Sequence, residues 1–223
     1  MPLFEVRRAL GAGFGNNASP AARLTTMGEL VVVDHLTAWL LDGRMFQVRA
    51  GTLATGLAAQ DVIADATAEM SADAATGTTI IPVAFHIAAQ TVATAVTLQV
   101  YVKGVGAVST GGTAFTPLPM VQSGTAAVST ARVQAGTVTV TAELATTTRR
   151  LFEYEDANTQ TVTTVGGNTG PGAAIAASTN NLQRYVGVGP ACVYVQVAST
   201  TAQTLYYASL DYAEFPTLMV VPS

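Results

Sequence analysis

The chain has 223 residues, 10 basic against 14 acidic side chains, and 11% charged against 49% apolar residues, where soluble domains usually carry about 25% charged. Disordered chains combine high net charge with few aliphatics, so this composition excludes them. A single lysine, Lys103, also speaks against a helical bundle, whose solvated faces need Lys, Glu, Arg and Gln. A net charge of −4 leaves no basic field of the kind nucleic-acid binders show. Ala (39), Thr (33) and Val (27) dominate, so much of the surface is neutral, as in a β-protein or a subunit covered by its neighbours.

Residues 1–28 read as an extended arm preceding a single domain, 29–223. Met1–Arg8 has no apolar run behind its charges, so no signal peptide is expected. Arg7, Arg8 and Arg23 against Glu5 give the arm a local balance of +2, the one place where a phosphate backbone could be weakly contacted. Gly11, Gly13 and Gly15 lack the preceding strand and following helix of a dinucleotide loop, and Asn16–Pro20 reads as a turn. Weak strand signals follow at 29–34 and 45–50. His35 follows Asp34 directly, so in a strand the two side chains point to opposite faces and form no acid–base pair.

Between 61 and 73, Asp61, Asp65, Glu69 and Asp73 recur every four residues. On a helix that stacks like charges; as a strand, Val62, Ala64, Ala66, Ala68, Met70 and Ala72 form one apolar face and the acids a polar one. The strand is favoured, and it spaces the acids about 13 Å apart at roughly 3.3 Å per residue, too far to share a cation. Ala74–Val102 contains no Asp, Glu, Lys or Arg, but Gly77, Pro82, Gln90 and Gln99 interrupt it, and no transmembrane segment is expected. Two strands fit it better. Ile81, Val83, Phe85, Ile87 and Ala89 share one face, with His86 on the other. Leu98, Val100 and Val102 alternate with Thr97, Gln99 and Lys103.

The neutral run 104–131 is followed by strand signals at 126–134, at Val138, Val140, Ala142 and Leu144, and at 148–155. Glu153, Glu155 and Asp156 form an acidic cluster at that strand's end. They are weak Ca²⁺ candidates, because two carboxylates on one strand face fall short of the roughly six to eight oxygens Ca²⁺ takes. After the neutral run 157–183 come 182–188, then Ala191, Val193, Val195 and Val197, then Tyr206, Ala208, Leu210 and Tyr212. Cys192, the single cysteine, reads as a small buried hydrophobe. About eight to ten short strands with Gly- and Thr-rich breaks predict an all-β, antiparallel sandwich. No nucleophile elbow, zinc-ligand spacing or paired acid–base group emerges, so no catalytic residue, metal or cofactor is assigned and no enzyme is expected.

Gly28–Val32, Asp42–Phe46, Ala50–Ala58, the strand at 62–71, the small-residue loop 72–78 and the strand 79–90 together resemble the single-jelly-roll coat proteins of tailless icosahedral bacteriophages. The resemblance implies a jelly roll whose edges, loops and N-terminal arm are buried against neighbouring copies in a capsid. It implies copies of itself and other virion proteins as partners, a virion location after synthesis in the host cytoplasm, and room for a membrane beneath the shell. The residues expected at subunit contacts are Phe4, Leu10 and Phe14 on the arm, Val105 and Phe115 in the neutral run, and Tyr206 and Tyr212 on the last strand. Two rival readings are a phage appendage, spike or carbohydrate-binding sandwich, and an enzyme using Glu153 and Glu155.

Overall fold

A computed structural model describes residues 34–52, 55–60, 63–91, 96–122, 124–142, 148–158, 176–179, 182, 185–199 and 205–217. The arm, with Phe4, Leu10, Phe14, Arg7, Arg8 and Arg23, and most of the weak strand 29–34 lie outside them. The chain order is α1 (His35–Leu41), β1 (Met45–Ala50), β2 (Leu57–Ala58), β3 (Thr67–Ala74), β4 (Thr78–Thr91), β5 (Val96–Val105) and β6 (Thr110–Phe115). Then follow β7 (Leu118–Pro119), β8 (Thr130–Thr139), β9 (Arg149–Asn158), β10 (Ala176–Thr179), β11 (Gly187–Val188), β12 (Ala191–Ser199) and β13 (Leu205–Pro216). The segment is strand rather than helix, as the charge argument favours, but only from Thr67: residues 63–66 precede β3, and Asp61 and Val62 lie outside the described residues.

The protein is an all-β antiparallel sandwich. One sheet runs β10-β4-β13-β1-β7, with β11 on β4 and β2 on β13, and the other runs β6-β8-β3-β12-β5-β9. Four pairs nest one inside another along the chain: β1 with β13, β3 with β12, β4 with β10, and β5 with β9. Each nested pair lies within one sheet, and successive pairs alternate between the sheets. That is the jelly roll.

The remaining strands come mostly from the connection between β5 and β9. From β5 the chain must cross β12, β3 and β8 to reach β6, and Ser109 bonds to Ser71 and Asp73 of β3 on the way. β6 then extends the second sheet beyond β8, β7 pairs with β1 of the first sheet, and residues 120–129 lead back into β8. The neutral run 104–131 is therefore largely built into the fold, where it closes the side bordered by β1 and β3.

Phe46, Val48, Met70, Phe85, Ile87, Leu98, Val100, Val102, Val193, Val195, Tyr206, Leu210 and Tyr212 fill the space between the sheets. The alternations in β5, β12 and β13 hold as read. That in β4 does not: Asp211 faces Ala84 but Tyr212 faces Pro82, so Val83 is an extra residue. Such a bulge reverses the facing of everything before it. Phe85, Ile87 and Ala89 point between the sheets, while Ile81 and Val83 pack outside with Trp39, Met45, Ala213 and Phe215. The Val83 carbonyl accepts instead from the Leu182 amide at 3.2 Å.

That outer cluster lies under α1, a helix the alternation gave no sign of. Asp34 caps it by accepting from the amides of Leu36 (3.0 Å) and Thr37 (3.1 Å), which satisfies donors every helix start leaves open. A second outer cluster, Ala68, Val105, Val138, Val140, Cys192 and Tyr194, lies on the other sheet. Cys192 is buried there as expected, and burial pushes its thiol well above the usual range. β8 ends at Thr139, so Val140 and Ala142 lie past the strand, and among the described residues of 182–188 only Gly187–Val188 is strand. Leu144 lies outside the described residues. Gly51 ends β1 at φ 72°, where a Cβ would stand 2.7 Å from the Tyr206 carbonyl oxygen, so only glycine fits that turn.

Candidate functional site

Among the described residues, four carboxylates carried on strands are buried: Glu69, Asp73, Asp211 and Glu214. Burial removes water from a charge, so each must find donors or hold its proton. The polar face expected for β3 is thus not a solvated one: Glu69, Ser71 and Asp73 are all enclosed. Around Asp73, Ser109 donates its amide to Oδ1 (2.8 Å) and its hydroxyl to Oδ2 (2.7 Å), and the Arg132 guanidinium lies 3.3 Å from Oδ2. Desolvation still outweighs these donors and raises the Asp73 carboxyl above its ordinary value.

Glu214 does comparable work at the end of β13. Its oxygens accept from the amides of Val128 and Ser129, both at 2.9 Å, and from the Ser129 hydroxyl at 2.5 Å. The Tyr212 hydroxyl stands 2.6 Å from the same serine oxygen. Both acids therefore hold the β5–β9 connection onto the sheets. They sit among structural donors, fixing loops rather than facing a substrate.

Glu69 differs. It lies between the sheets beside a register shift of β3, and its Oε2 accepts from the Tyr206 hydroxyl at 3.1 Å. Its Oε1 has no hydrogen-bond partner among the described residues. Desolvation pushes this carboxyl up to about 7, opposed by the Tyr206 hydroxyl and the Gln60 side chain.

His35 opens α1 and meets Trp39 edge-on at 5.1 Å. His86 is exposed on the outer face of β4, opposite Ser209 of β13. Sequence distance hid its acidic neighbour Asp211, whose charged form it favours along with Arg49 and the Gln47 amide, which donates at 2.7 Å. Burial is the largest influence on Asp211 and raises its carboxyl.

Glu153 and Glu155 are exposed on β9, opposite Tyr101 and Gln99. Arg150 pairs with Glu153 at 3.6 Å and covers the Tyr101 ring at 5.8 Å. The Asp156 backbone continues the strand, and its side chain lies outside the description. Among the described residues no group of three or more His, Cys, Asp or Glu is placed to hold a metal ion.

The expected contact residues separate. Tyr206 and Tyr212 are buried in the core between the sheets and Val105 in the outer cluster of the second sheet, so none of the three is exposed to a neighbour, and Phe115 is half-buried against the core between the sheets. The reason is the position of β13 between β4 and β1, which turns its alternate aromatics inward onto buried acids. The exposed large apolar side chains among the described residues lie elsewhere: Val128 at 71%, Leu41 at 69% and Leu118 at 50% exposure lead, followed by Val186, Val108, Met120, Val188 and Leu40. Leu118 lies on β7, opposite Gln47 of β1, and the Met120 amide donates to the Met45 carbonyl at 2.9 Å. Both therefore sit at the border closed by the β5–β9 connection. No helix among the described residues is long and apolar enough to cross a membrane. Comparison with protein-family models, curated proteins and solved structures returned no match.

Proposed function

We propose that this chain is a structural coat protein that self-assembles into a closed icosahedral shell, its partners being further copies of itself and other virion components. The observation that carries the reading is a jelly roll with 11% charged residues that leaves Leu41, Leu118, Met120 and Val128 exposed at the surface. Neutral and apolar surface is inexpensive to desolvate at a subunit contact, where buried Lys and Glu are costly. Fold alone assigns no function, and the resemblance carried by the segments between Gly28 and residue 90 supplies the remaining support.

The contacts fall on β7 and the residues around it, on α1, on the sheet edges and on the arm. Negative-stain electron microscopy and light scattering of the purified chain across salt and pH test this. Closed particles, or stable pentamers or hexamers, are the expected result. A monomer or an elongated trimer at high concentration would transfer the assignment to an appendage or carbohydrate-binding module.

A further inference from the structure

The second sheet ends on a ten-residue strand, β9, and among the described residues no strand pairs with its outer side. The other outer strands are shorter: β6 has six residues, β10 four and β7 two. β6 is also bent by Gly111 and Gly112, both at positive φ, whereas β9 has a single register shift against β5, at Leu151, near its basic end. A long outer strand offers a row of backbone donors and acceptors for another strand to join.

The sequence of β9 decides which strand. Arg149 and Arg150 open it, and Glu153, Glu155 and Asp156 follow, so one end is basic and the other acidic. Arg149, Arg150, Glu153 and Glu155 are exposed. A parallel neighbour of the same sequence would set arginine against arginine. An antiparallel copy sets the basic end of each strand against the acidic end of the other, twice, about a twofold axis. Leu151, Phe152 and Tyr154 lie half-buried along the same strand, against the core between the sheets, and a second sheet continuing past this edge would cover them further. The Arg150–Glu153 pair within the chain is about half exposed on both sides, and surface pairs of this kind are worth at most about 1 kcal/mol, so exchanging it for a contact between copies costs little.

We infer that β9 is the edge through which two copies of this chain join, antiparallel and about a twofold axis, into one continuous sheet. The inference rests on the self-assembly reading only in taking a second copy as the partner. Such pairing is selective: the charges that match an identical antiparallel strand set like charges opposite one another in a parallel one.

The test is charge complementation followed by sedimentation velocity. The wild-type chain is expected to associate in a concentration-dependent way, to dimers or to larger species that contain this contact, and added NaCl is expected to weaken the association. R149E/R150E makes the edge wholly acidic and E153R/E155R makes it mainly basic. Each variant by itself is expected to associate at least about tenfold more weakly, and an equimolar mixture of the two to associate again as a heterodimer. Variants that associate like the wild type, a mixture that fails to associate, or a wild-type chain that stays monomeric at all concentrations would overturn the inference. Should the variants fold poorly, the salt series on the wild-type chain decides, since salt-insensitive association also overturns it. Particles that form normally from both variants would reject the edge and keep the shell. Charge-dependent dimers that never close into particles would keep the edge and reject the shell.

Discussion

Tyr206 and Tyr212 show why single side chains in this protein resist reading from sequence. Both look like sheet or contact aromatics, yet each hydroxyl serves a buried polar group, Glu69 through Tyr206 and Ser129 through Tyr212. Glu69 is the more consequential, because one of its oxygens lacks a hydrogen-bond partner among the described residues and its carboxyl holds a proton up to about pH 7. A carboxyl raised in the folded state contributes stability that is fully present below its unfolded value near 4.5 and lost as pH rises through about 7. The displacement corresponds to roughly 3 kcal/mol. Glu69→Gln keeps the shape and removes the charge. The variant is expected to unfold at higher denaturant than the wild type at pH 8, and the advantage should shrink to near zero at pH 4.5. Urea midpoints at the two pH values check this; an advantage equal at both would place the effect in packing rather than in the proton.

At the scale of elements, the buried acids act as ties between strands and the connection laid over them. The Glu214 carboxylate takes two amides and a hydroxyl from residues 128–129. Glu214→Ala is therefore expected to cost about 1–3 kcal/mol and to speed hydrogen exchange of the Val128 and Ser129 amides well before β12 exchanges. Unchanged exchange there would mean that the connection is held by β6 and β7 without this tie. The same elements mark what sequence makes legible. Period-two alternation located β4, β5, β12 and β13, since each has one face between the sheets and the other outside. It missed the bulge at Val83, because an extra residue leaves composition untouched while reversing which residues face inward. It missed α1, seven residues whose sign is the Asp34 cap rather than a long apolar stripe. It placed Glu69 and Asp73 on a polar face without any sign that the face is enclosed, because alternation records polarity, not what later crosses the strand; Ser109, 36 residues on from Asp73, supplies that cover. Strand order depends on pairings such as β1 with β13, which local pattern does not encode. The exposed acids of β9 were legible, but the arginines beside them give that strand a different meaning from a cation site.

For the whole molecule, two kinds of surface contribute to self-association, and they answer to salt with opposite signs. The ends of β9 are charged, so any pairing through them weakens as ionic strength rises and the screening length falls from about 10 Å at 0.1 M towards 3 Å at 1 M. The exposed apolar set on α1, on β7 and around it has the reverse dependence, because sulfate and phosphate strengthen burial of apolar surface. Leu118 and Val128 are half exposed or more, so polar replacements there should change the stability of the single chain by no more than about 0.5 kcal/mol. The double variant Leu118→Ser, Val128→Ser is accordingly expected to keep the wild-type melting temperature while shifting the onset of assembly to higher protein concentration. Its deficit should be largest in ammonium sulfate and smallest at low salt, where β9 acts most strongly. Light scattering across a sulfate series reads both quantities. Assembly of the double variant that matches the wild type at every sulfate concentration would remove these side chains from the contacts and leave the charged edge and the arm to carry them.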